Sequence, residues 1–386
     1  MKPQNRVVTF LFFISVFLSV SCETNFRNTA GISTKHLVVF SNNNKFAGWP
    51  ANNGVWSWNG QEILVGFTLG DFEEKDGHNI GEKRQSVLAR SLDGGETWKL
   101  EDPDNFVGDI SSRRLLTEPI NFKDPDFALR IEGTGYHGSD DSLGSFFYSM
   151  DRGRSWRGPY ILNTLNEVTE LTGLEFTPRT DYLIEDSQKC LIFMSVRKPG
   201  VFGSDRLFCA RTTDGGLTFQ FISWVVPPSD PYRAVMPASV RCSHHKLVTV
   251  VRRREIGTDR CWIDCLTSQD NGDNWSFSGK VGNTGPENGN PPALVRLTDG
   301  RLCCLYGNRE KRQLIARFSG DEGLTWDDDI ILRDDFFPDS FNDGDLGYPR
   351  GILREDGKLL AIYYWASQEQ KQQYIAATLF DAPGND

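Results

Sequence analysis

The sequence predicts an all-β chain that folds as a six-bladed β-propeller, with seven blades as the alternative. One observation is the composition, since 37 Gly and 26 Phe among 386 residues suit many short strands joined by tight turns. A second is an octapeptide pattern that occurs five times, and a third is a strand–turn–strand pattern that occurs six times. Because these patterns extend over most of the chain, residues 36–386 are predicted to form a single domain.

The five octapeptides share the pattern Ser/Thr-x-Asp-x-Gly-x-x-aromatic, and we refer to them as Asp-boxes. In each one, the Asp carboxylate can accept backbone N–H groups within a hairpin, the Gly adopts a positive φ and the aromatic ring packs between sheets. These aspartates are therefore predicted to be structural rather than catalytic. The boxes are Ser91–Trp98, Ser149–Trp156, Thr212–Phe219, Ser268–Trp275 and Ser319–Trp326.

The strand–turn–strand pattern lies between the boxes and, together with the strands that flank each box, gives four strands per unit. The last unit has no box, so residues 36–41 are predicted to supply its fourth strand from the other end of the chain. Short strands cannot bury both faces alone, whereas radial stacking of small sheets buries them without leaving long edges. The six segments are 54–67, 126–138, 179–196, 237–251, 292–307 and 350–365.

The N-terminus has the features of an export signal. A basic start precedes the apolar and small-residue run Val7–Ser21, which at 15 residues is shorter than the roughly 20 that a spanning helix needs. The residues before Cys22 resemble a relaxed bacterial lipobox. This predicts a signal peptide over 1–21, a palmitate-bearing Cys22 and a polar tether over 22–35, so that only the lipid holds the exported protein to the outer membrane. An ordinary signal peptide with an incidental Cys is the alternative.

Charge and cysteine content exclude other classes of protein. Acidic residues outnumber basic ones by 52 to 42, and the net charge of −10 argues against a nucleic-acid partner. Seven cysteines follow Cys22, and their odd number, with Cys303 beside Cys304, does not suggest a disulfide framework. No CxxC pair has a matching second pair, so we expect no metal and no cofactor. We expect a monomer.

The five Asp-boxes and the six strand–turn–strand units resemble the sialidase (neuraminidase) superfamily of propellers, over essentially the whole mature chain. The resemblance implies a fold rather than a reaction, because the superfamily includes sialidases, other glycosidases and proteins of unknown activity. It implies that Arg253 and Arg309 match two of the three arginines that clamp a sialidase's carboxylate, and that Tyr348 matches its tyrosine nucleophile. No Arg stands between Trp49 and Trp56, where the first of the three would lie, which argues against an ordinary sialidase.

The loops that lead into the first strand of each blade, and those that leave the second, are expected to meet around the axis on one face. Their Arg, Asn, Tyr and Trp side chains suit an anionic sugar. His78 and His137 lie in polar, glycine-containing loops, where a neutral imidazole can accept a proton. The predicted catalytic residues are His78, His137, Arg253 and Tyr348, the predicted substrate-binding residues are Trp49, Asn53, Arg179, Arg233, Asn290, Arg309 and Arg350, and the same rim contains Asn52, Arg252 and Asp345 without an assigned role.

These residues predict an enzyme that acts on an anionic oligosaccharide or polysaccharide containing uronic acid, of ulvan-like type. Arg would neutralise the uronate, His or Tyr would remove the C5 proton, and a second group would protonate what leaves C4. A sugar leaving group makes the enzyme a lyase, and a hydroxyl makes it a dehydratase. Two alternatives stay open: an exo-glycosidase of sialidase type with Tyr348 as nucleophile, and a surface lipoprotein that binds glycans without catalysis.

Overall fold

The computed structural model describes residues 24–27, 32–134, 141–337 and 344–384. The signal peptide, Cys22 and His137 lie outside these ranges, so what the sequence predicts for them stays a prediction. The described strands are β1 (Thr24–Arg27), β2 (Ser33–Phe40), β3 (Lys45–Gly48), β4 (Val55–Trp58), β5 (Glu62–Phe72), β6 (Ile80–Ser91), β7 (Lys99–Glu101), β8 (Ala128–Glu132), β9 (Ser145–Ser149), β10 (Arg157–Ile161), β11 (Glu175–Phe176), β12 (Tyr182–Ile184), β13 (Cys190–Arg197), β14 (Arg206–Thr212), β15 (Gln220–Trp224), β16 (Arg233–Arg241), β17 (Leu247–Arg254), β18 (Cys261–Ser268), β19 (Ser276–Asn283), β20 (Ala293–Arg296), β21 (Leu302–Asn308), β22 (Gln313–Ser319), β23 (Ile330–Arg333), β24 (Gly347–Leu353), β25 (Leu359–Trp365) and β26 (Tyr374–Phe380). The described helices are α1 (Pro50–Asn53) and the 3-10 turns Ile110–Ser112, Leu165–Glu167 and Thr169–Leu171.

Hydrogen bonds join these strands into six antiparallel sheets, which confirms the six-bladed propeller; the seven-bladed alternative is wrong. Blades 1–5 each take consecutive strands, and blade 6 combines strands that are far apart in the sequence. Blade 1 contains β3–β7, blade 2 contains β8–β10, blade 3 contains β11–β15, blade 4 contains β16–β19, blade 5 contains β20–β23 and blade 6 contains β24–β26 with β2 and β1.

The ring closes in blade 6, where both ends of the chain meet. Strand β2 pairs with β26, as predicted for the missing fourth strand. Two boundaries differ from the prediction. Strand β2 begins at Ser33 rather than at residue 36, and β1, which falls within the predicted tether, pairs with β2 as a fifth, edge strand. Thr24–Arg27 thus gains backbone hydrogen bonds from an available strand edge.

The first strand is interrupted in blades 1 and 3. Strands β3 and β4 both pair with β5, and α1 separates them. Strands β11 and β12 both pair with β13, and residues 177–181 separate them. Because a regular strand alternates its side chains between the two neighbouring blades, each interruption gives backbone and side chains another direction, towards the axis.

Blade 2 has three strands in the described residues, so the prediction of four strands in every unit is wrong here. The inner edge of β8 is satisfied by side chains of blades 1 and 3 instead of a strand. Trp56 Nε1 donates to the carbonyl of Leu129 at 2.9 Å, and Tyr182 Oη accepts from the Leu129 N–H at 3.4 Å. Thr180 Oγ1 accepts from the Ile131 N–H at 3.1 Å. These bonds replace part of the missing ladder, since buried backbone groups need partners.

Each Asp-box connects the last two strands of its blade, in blades 1–5. In the first box Asp93 Oδ1 accepts the Thr97 N–H at 2.9 Å and the Ser91 hydroxyl at 2.7 Å. Partial burial would raise the pKa of Asp93, but the hydrogen bonds from Thr97 and Ser91 hold it below its ordinary value. The same pair of contacts recurs at Asp151, Asp214, Asp270 and Asp321.

Apolar side chains fill the spaces between neighbouring sheets. The cluster shared by blades 6 and 1 includes Phe46, Phe67, Ile362 and Tyr364. The seven described cysteines are all buried and unpaired, as small strand residues are. No helix in the described ranges is long and apolar enough to cross a membrane.

His36, in the closing strand β2, makes the stability of the fold depend on pH. Its Nδ1 lies 2.9 Å from Thr378 Oγ1 of β26. Burial, reinforced by the nearby Arg333, lowers the pKa of the imidazole from 6.5 to about 4. Between these two values the unfolded chain binds a proton that the folded chain does not, so acidification favours unfolding.

We expect His36→Gln to lose less stability on acidification than the wild type. The two proteins should unfold at similar urea concentrations near pH 8, and at about pH 4 the variant should be relatively more stable by up to about 3 kcal/mol. Urea titrations at both pH values, followed by tryptophan fluorescence, measure this difference. Equal losses in the two proteins would contradict the role of His36.

Candidate active site

One face of the ring carries the loops between the second and third strands of the blades, and we call it the upper face. It includes residues 73–79, 198–205, 255–260 and 309–312, whereas the Asp-boxes lie at the opposite ends of the strands. His78 belongs to the first of these loops. The candidate site is therefore on the upper face, around the axis.

Tyr348 is held in an unusual backbone conformation at the start of β24. The pairing of β24 with β25 is irregular between Gly347 and Arg350, and Tyr348 has a φ of 50°. Asn290 Oδ1 accepts the Tyr348 N–H at 2.6 Å, and Asn290 Nδ2 donates to the Leu346 carbonyl at 2.8 Å. A Cβ on Gly347 would lie 2.3 Å from Asn290 Oδ1, so only glycine fits. Asn290 is fully buried, and both ends of its amide hold this bulge rather than pointing to a ligand site.

Two arginines lie beside the Tyr348 ring. Arg252 Nη1 donates to Tyr348 Oη at 3.1 Å, and Arg252 Nε donates to the Asn288 carbonyl at 2.7 Å. The guanidinium carbons of Arg252 and Arg309 lie 5.5 and 6.0 Å from the centre of the ring. All three side chains are buried, with Arg252 2%, Arg309 6% and Tyr348 7% exposed, and the two guanidinium charges are placed to stabilise negative charge beside the tyrosine.

His78 is paired with a buried carboxylate. Its Nδ1 lies 3.0 Å from Asp345 Oδ1, which also accepts the Tyr364 hydroxyl and lies 3.7 Å from Arg309 Nη2. Burial would raise the pKa of Asp345, but His78, Arg309 and the Tyr364 hydrogen bond together hold it below its ordinary value. Asp345 therefore stays ionised and turns Nδ1 of His78 towards itself, which leaves Nε2 for proton transfer.

Trp49 and Tyr364 lie beside the His78–Asp345 pair. Trp49 packs edge-on against its ring, with centroids 4.8 Å apart and an interplanar angle of 77°. Burial, and then the charge of Asp345, raise the pKa of Tyr364 far above its ordinary value, so this phenol remains a donor. The His78 side chain is still 40% exposed. A ligand on the upper face can therefore reach the imidazole.

Arg253 does not face the axis, so the prediction that this arginine of the Arg252–Arg254 run turns inward is wrong. Its guanidinium is 3% exposed and lies 2.6 Å from Asp230 and 3.0 Å from Asp264. Adjacent strand residues point to opposite faces, and it is Arg252 that reaches Tyr348. The sequence shows that side chains alternate between the two faces of β17, but not which residues lie on which face. The pairing with β16 and β18 sets this.

We call the part of the upper face around the axis the well, and its floor joins blades 1, 3 and 6. Arg179 Nε donates to Asn52 Oδ1 at 2.9 Å, from blade 3 to blade 1. Arg350 Nη2 donates to the carbonyls of Ala51 at 2.7 Å and Thr180 at 3.3 Å. Arg179 and Arg350, both predicted to bind substrate, therefore hold the interrupted first strands together. Burial lowers the pKa of Arg350 to about 10.

Two other predicted binding residues lie within the walls. Asn53 is 1% exposed, and its Nδ2 lies 3.5 Å from Thr68 Oγ1 of β5. Arg233 is 3% exposed and donates through Nε to Asp205 Oδ2 at 2.7 Å. The structure thus brings together His78, Trp49, Tyr348 and Arg309, and places Asn53, Arg233, Arg253 and Asn290 in supporting positions.

Three residues of the site have contacts that sequence reasoning did not assign. Arg252 and Asp345 stand in the predicted rim, but their roles depend on which partners the ring brings to them. Tyr364 was not anticipated, because it lies in the apolar and aromatic stretch Leu359–Trp365, which shows no alternation to indicate its direction. No group of three His, Cys, Asp or Glu residues in the described ranges is arranged to hold a metal ion.

Comparisons with known proteins agree with this fold. The sequence profile of the BNR repeat-like domain matches residues 111–361, and the chain belongs to this family. A comparison with curated proteins finds no match.

Solved structures similar to this chain include a protein of unknown function, an arabinofuranosidase and a sialidase. A protein of unknown function from Dyadobacter fermentans has a TM-score of 0.68 and 19% identity, covering 90% of this chain and 98% of that chain. The GH93 α-L-arabinofuranosidase of Fusarium graminearum, in complex with arabinobiose, has 0.54 and 13%, covering 92% and 97%. The NanB sialidase of Streptococcus pneumoniae has 0.54 and 11%, covering 89% and 70%. At these identities the likeness shows a shared fold and confirms the resemblance on that level.

The contrast between Arg252 and Arg253 can be tested by stability. Arg253→Gln leaves the carboxylates of Asp230 and Asp264 without their cation, so we expect it to lower the free energy of unfolding by about 3 kcal/mol. Arg252→Gln removes no carboxylate's partner and should cost less than half of that. Chemical denaturation of the two variants measures the difference. A larger loss for Arg252→Gln would contradict this placement.

Proposed function

We propose that the protein is a carbohydrate-active enzyme that eliminates the C4 substituent of a uronic acid residue in an anionic glycan, as a lyase or an oligosaccharide dehydratase. One observation carries this proposal: a histidine oriented by a buried carboxylate lies in the same well as a tyrosine flanked by two arginines. A base, an acid and a carboxylate clamp are the three groups that such an elimination needs.

The roles follow from the contacts. Arg252 and Arg309 neutralise the uronate, which makes the C5 proton more acidic. His78 Nε2 removes that proton, and the C5–H electron pair becomes the C4–C5 double bond as the C4–O bond breaks. The Tyr348 hydroxyl gives its proton to the departing oxygen, and the proton on His78 returns to the tyrosine through solvent. Asp345 stabilises the imidazolium while it exists.

The direct contact of Tyr348 favours elimination over hydrolysis with a tyrosine nucleophile. A nucleophilic phenol needs a neighbouring base to take its proton. Among the described residues, the side chain that hydrogen-bonds Tyr348 Oη is Arg252, and a guanidinium cannot accept a proton. The arabinofuranosidase and the sialidase that share the fold support a glycan as the substrate class, and an ulvan-like glucuronate–rhamnose chain is the substrate we would try first.

We expect purified protein to raise the absorbance of unsaturated uronate when it is incubated with a panel of glucuronate-containing oligosaccharides. His78→Gln and Tyr348→Phe should each lower kcat at least about a hundredfold, because each removes a proton-transfer group. His244→Gln, in an exposed turn far from the well, is the matched control and should be fully active. Thermal melts of all variants verify that they are folded.

Two other experimental results would favour a different function. Release of a fluorophore from a sialoside, lost in Tyr348→Phe, with no absorbance change on uronates, would favour the exo-glycosidase. Tight binding of oligosaccharides whose masses stay unchanged would favour a glycan-binding protein. Either result would leave the six-bladed fold intact and would reject elimination.

A further inference from the structure

Three large apolar side chains are exposed together on the upper face. Val201 and Phe202 are 48% and 56% exposed in the loop that follows β13, and Ile256 is 46% exposed in the loop that follows β17. The two loops touch, since a Cβ on Gly203 would lie 2.3 Å from Ile256 Cδ1. Single exposed apolar residues are common, whereas a cluster of them beside a polar well indicates a contact surface.

Two arginines beneath the Phe202 ring, and hydrogen bonds within its loop, hold the ring in place. The guanidinium carbons of Arg233 and Arg254 lie 4.7 and 5.7 Å from its centre. The loop is also ordered internally, because Ser204 Oγ donates to the Val201 carbonyl at 2.8 Å and accepts the Lys198 N–H at 2.9 Å. Phe202 is thus exposed and fixed at the same time, so a ligand that stacks on it loses little entropy from the protein.

A chain of contacts connects Phe202 to Tyr348. Arg254, beneath the phenylalanine, donates through Nη1 to Asn288 Oδ1. The carbonyl of Asn288 accepts from Arg252 Nε at 2.7 Å, and Arg252 Nη1 donates to Tyr348 Oη. The apolar cluster therefore borders the well on the Arg252 side.

We infer that Phe202 is a stacking platform for a pyranose ring of the glycan, one or more residues away from the ring that reacts at His78 and Tyr348. This inference rests on the proposed function for the position of the reacting residue. A sugar ring presents an apolar face of C–H groups, which an aromatic ring covers well, and its hydroxyls remain in water at this exposed rim. The substrate is accordingly an oligosaccharide or a longer chain rather than a single sugar.

The test compares chain lengths in the catalytically silenced His78→Gln protein. We would titrate a disaccharide, a tetrasaccharide and a hexasaccharide of glucuronate and rhamnose by calorimetry, and in parallel a neutral arabinose hexasaccharide. Phe202→Ala should weaken the binding of the longer chains by about tenfold and leave the disaccharide unchanged. Phe202→Trp should restore binding. Phe277→Ala, which removes a 65% exposed phenylalanine from the outer strand β19, is the control and should change nothing.

The outcomes separate this inference from the proposed function. If the wild type produces no unsaturated uronate but Phe202→Ala still weakens the longer chains, elimination fails and the platform stands. If binding is the same with and without Phe202 at every length and in both sugar series, or if no chain binds, the platform is wrong. A Phe202→Ala protein that loses self-association in sedimentation, with unchanged sugar affinity, would likewise overturn it in favour of a protein contact.

Discussion

A regular strand in a propeller points its side chains at the two neighbouring blades, so a first strand turns backbone and side chains towards the axis where it is interrupted. This constraint determines where the site lies. Helix α1 interrupts blade 1, residues 177–181 interrupt blade 3, and the bulge at Tyr348 interrupts blade 6. Blade 4 adds a further irregularity at Met236, whose φ is 58° and whose sulfur accepts from Arg252. The well is therefore lined by irregular segments of the first strands, and specific hydrogen bonds hold these segments in place.

Neighbouring groups in the well keep the carboxylate of Asp345 ionised although it is buried away from solvent. Asp345 is fully buried, and it stays charged because His78, Arg309 and Tyr364 surround the same oxygen. Its other oxygen has no hydrogen-bond partner among the described residues. Such a carboxylate has little freedom to move, so it fixes the orientation of the imidazole even though His78 itself is on an exposed loop.

The features that could be predicted from the sequence are those whose causes are local. An Asp-box contains its own hydrogen bonds within eight residues, so its repetition reveals the spacing of the blades, and the six strand–turn–strand units reveal their number. The closing strand could also be predicted, because the last unit is short by one strand. The described residues of blade 2 contain no first strand. This could not be predicted, because the side chains that replace the strand, Trp56, Thr180 and Tyr182, belong to other blades. Which face of β17 each side chain occupies depends on the neighbouring strands, and the sequence does not show which strands these are. For this reason the sequence did not reveal that Arg252, rather than Arg253, reaches Tyr348.

The position of β2 has a consequence for how the chain is made. Strand β2 precedes blades 1–5 along the chain and its partner β26 follows them: His36 and Thr378, which face each other, are 342 residues apart. Blades 1–5 can form in order as the polypeptide emerges, since each is built from consecutive strands. Strand β2 has to wait with an open edge until β26 has been synthesised. A contact of such long range makes the final step slow, and a prematurely terminated chain would retain two exposed edges able to pair with other molecules.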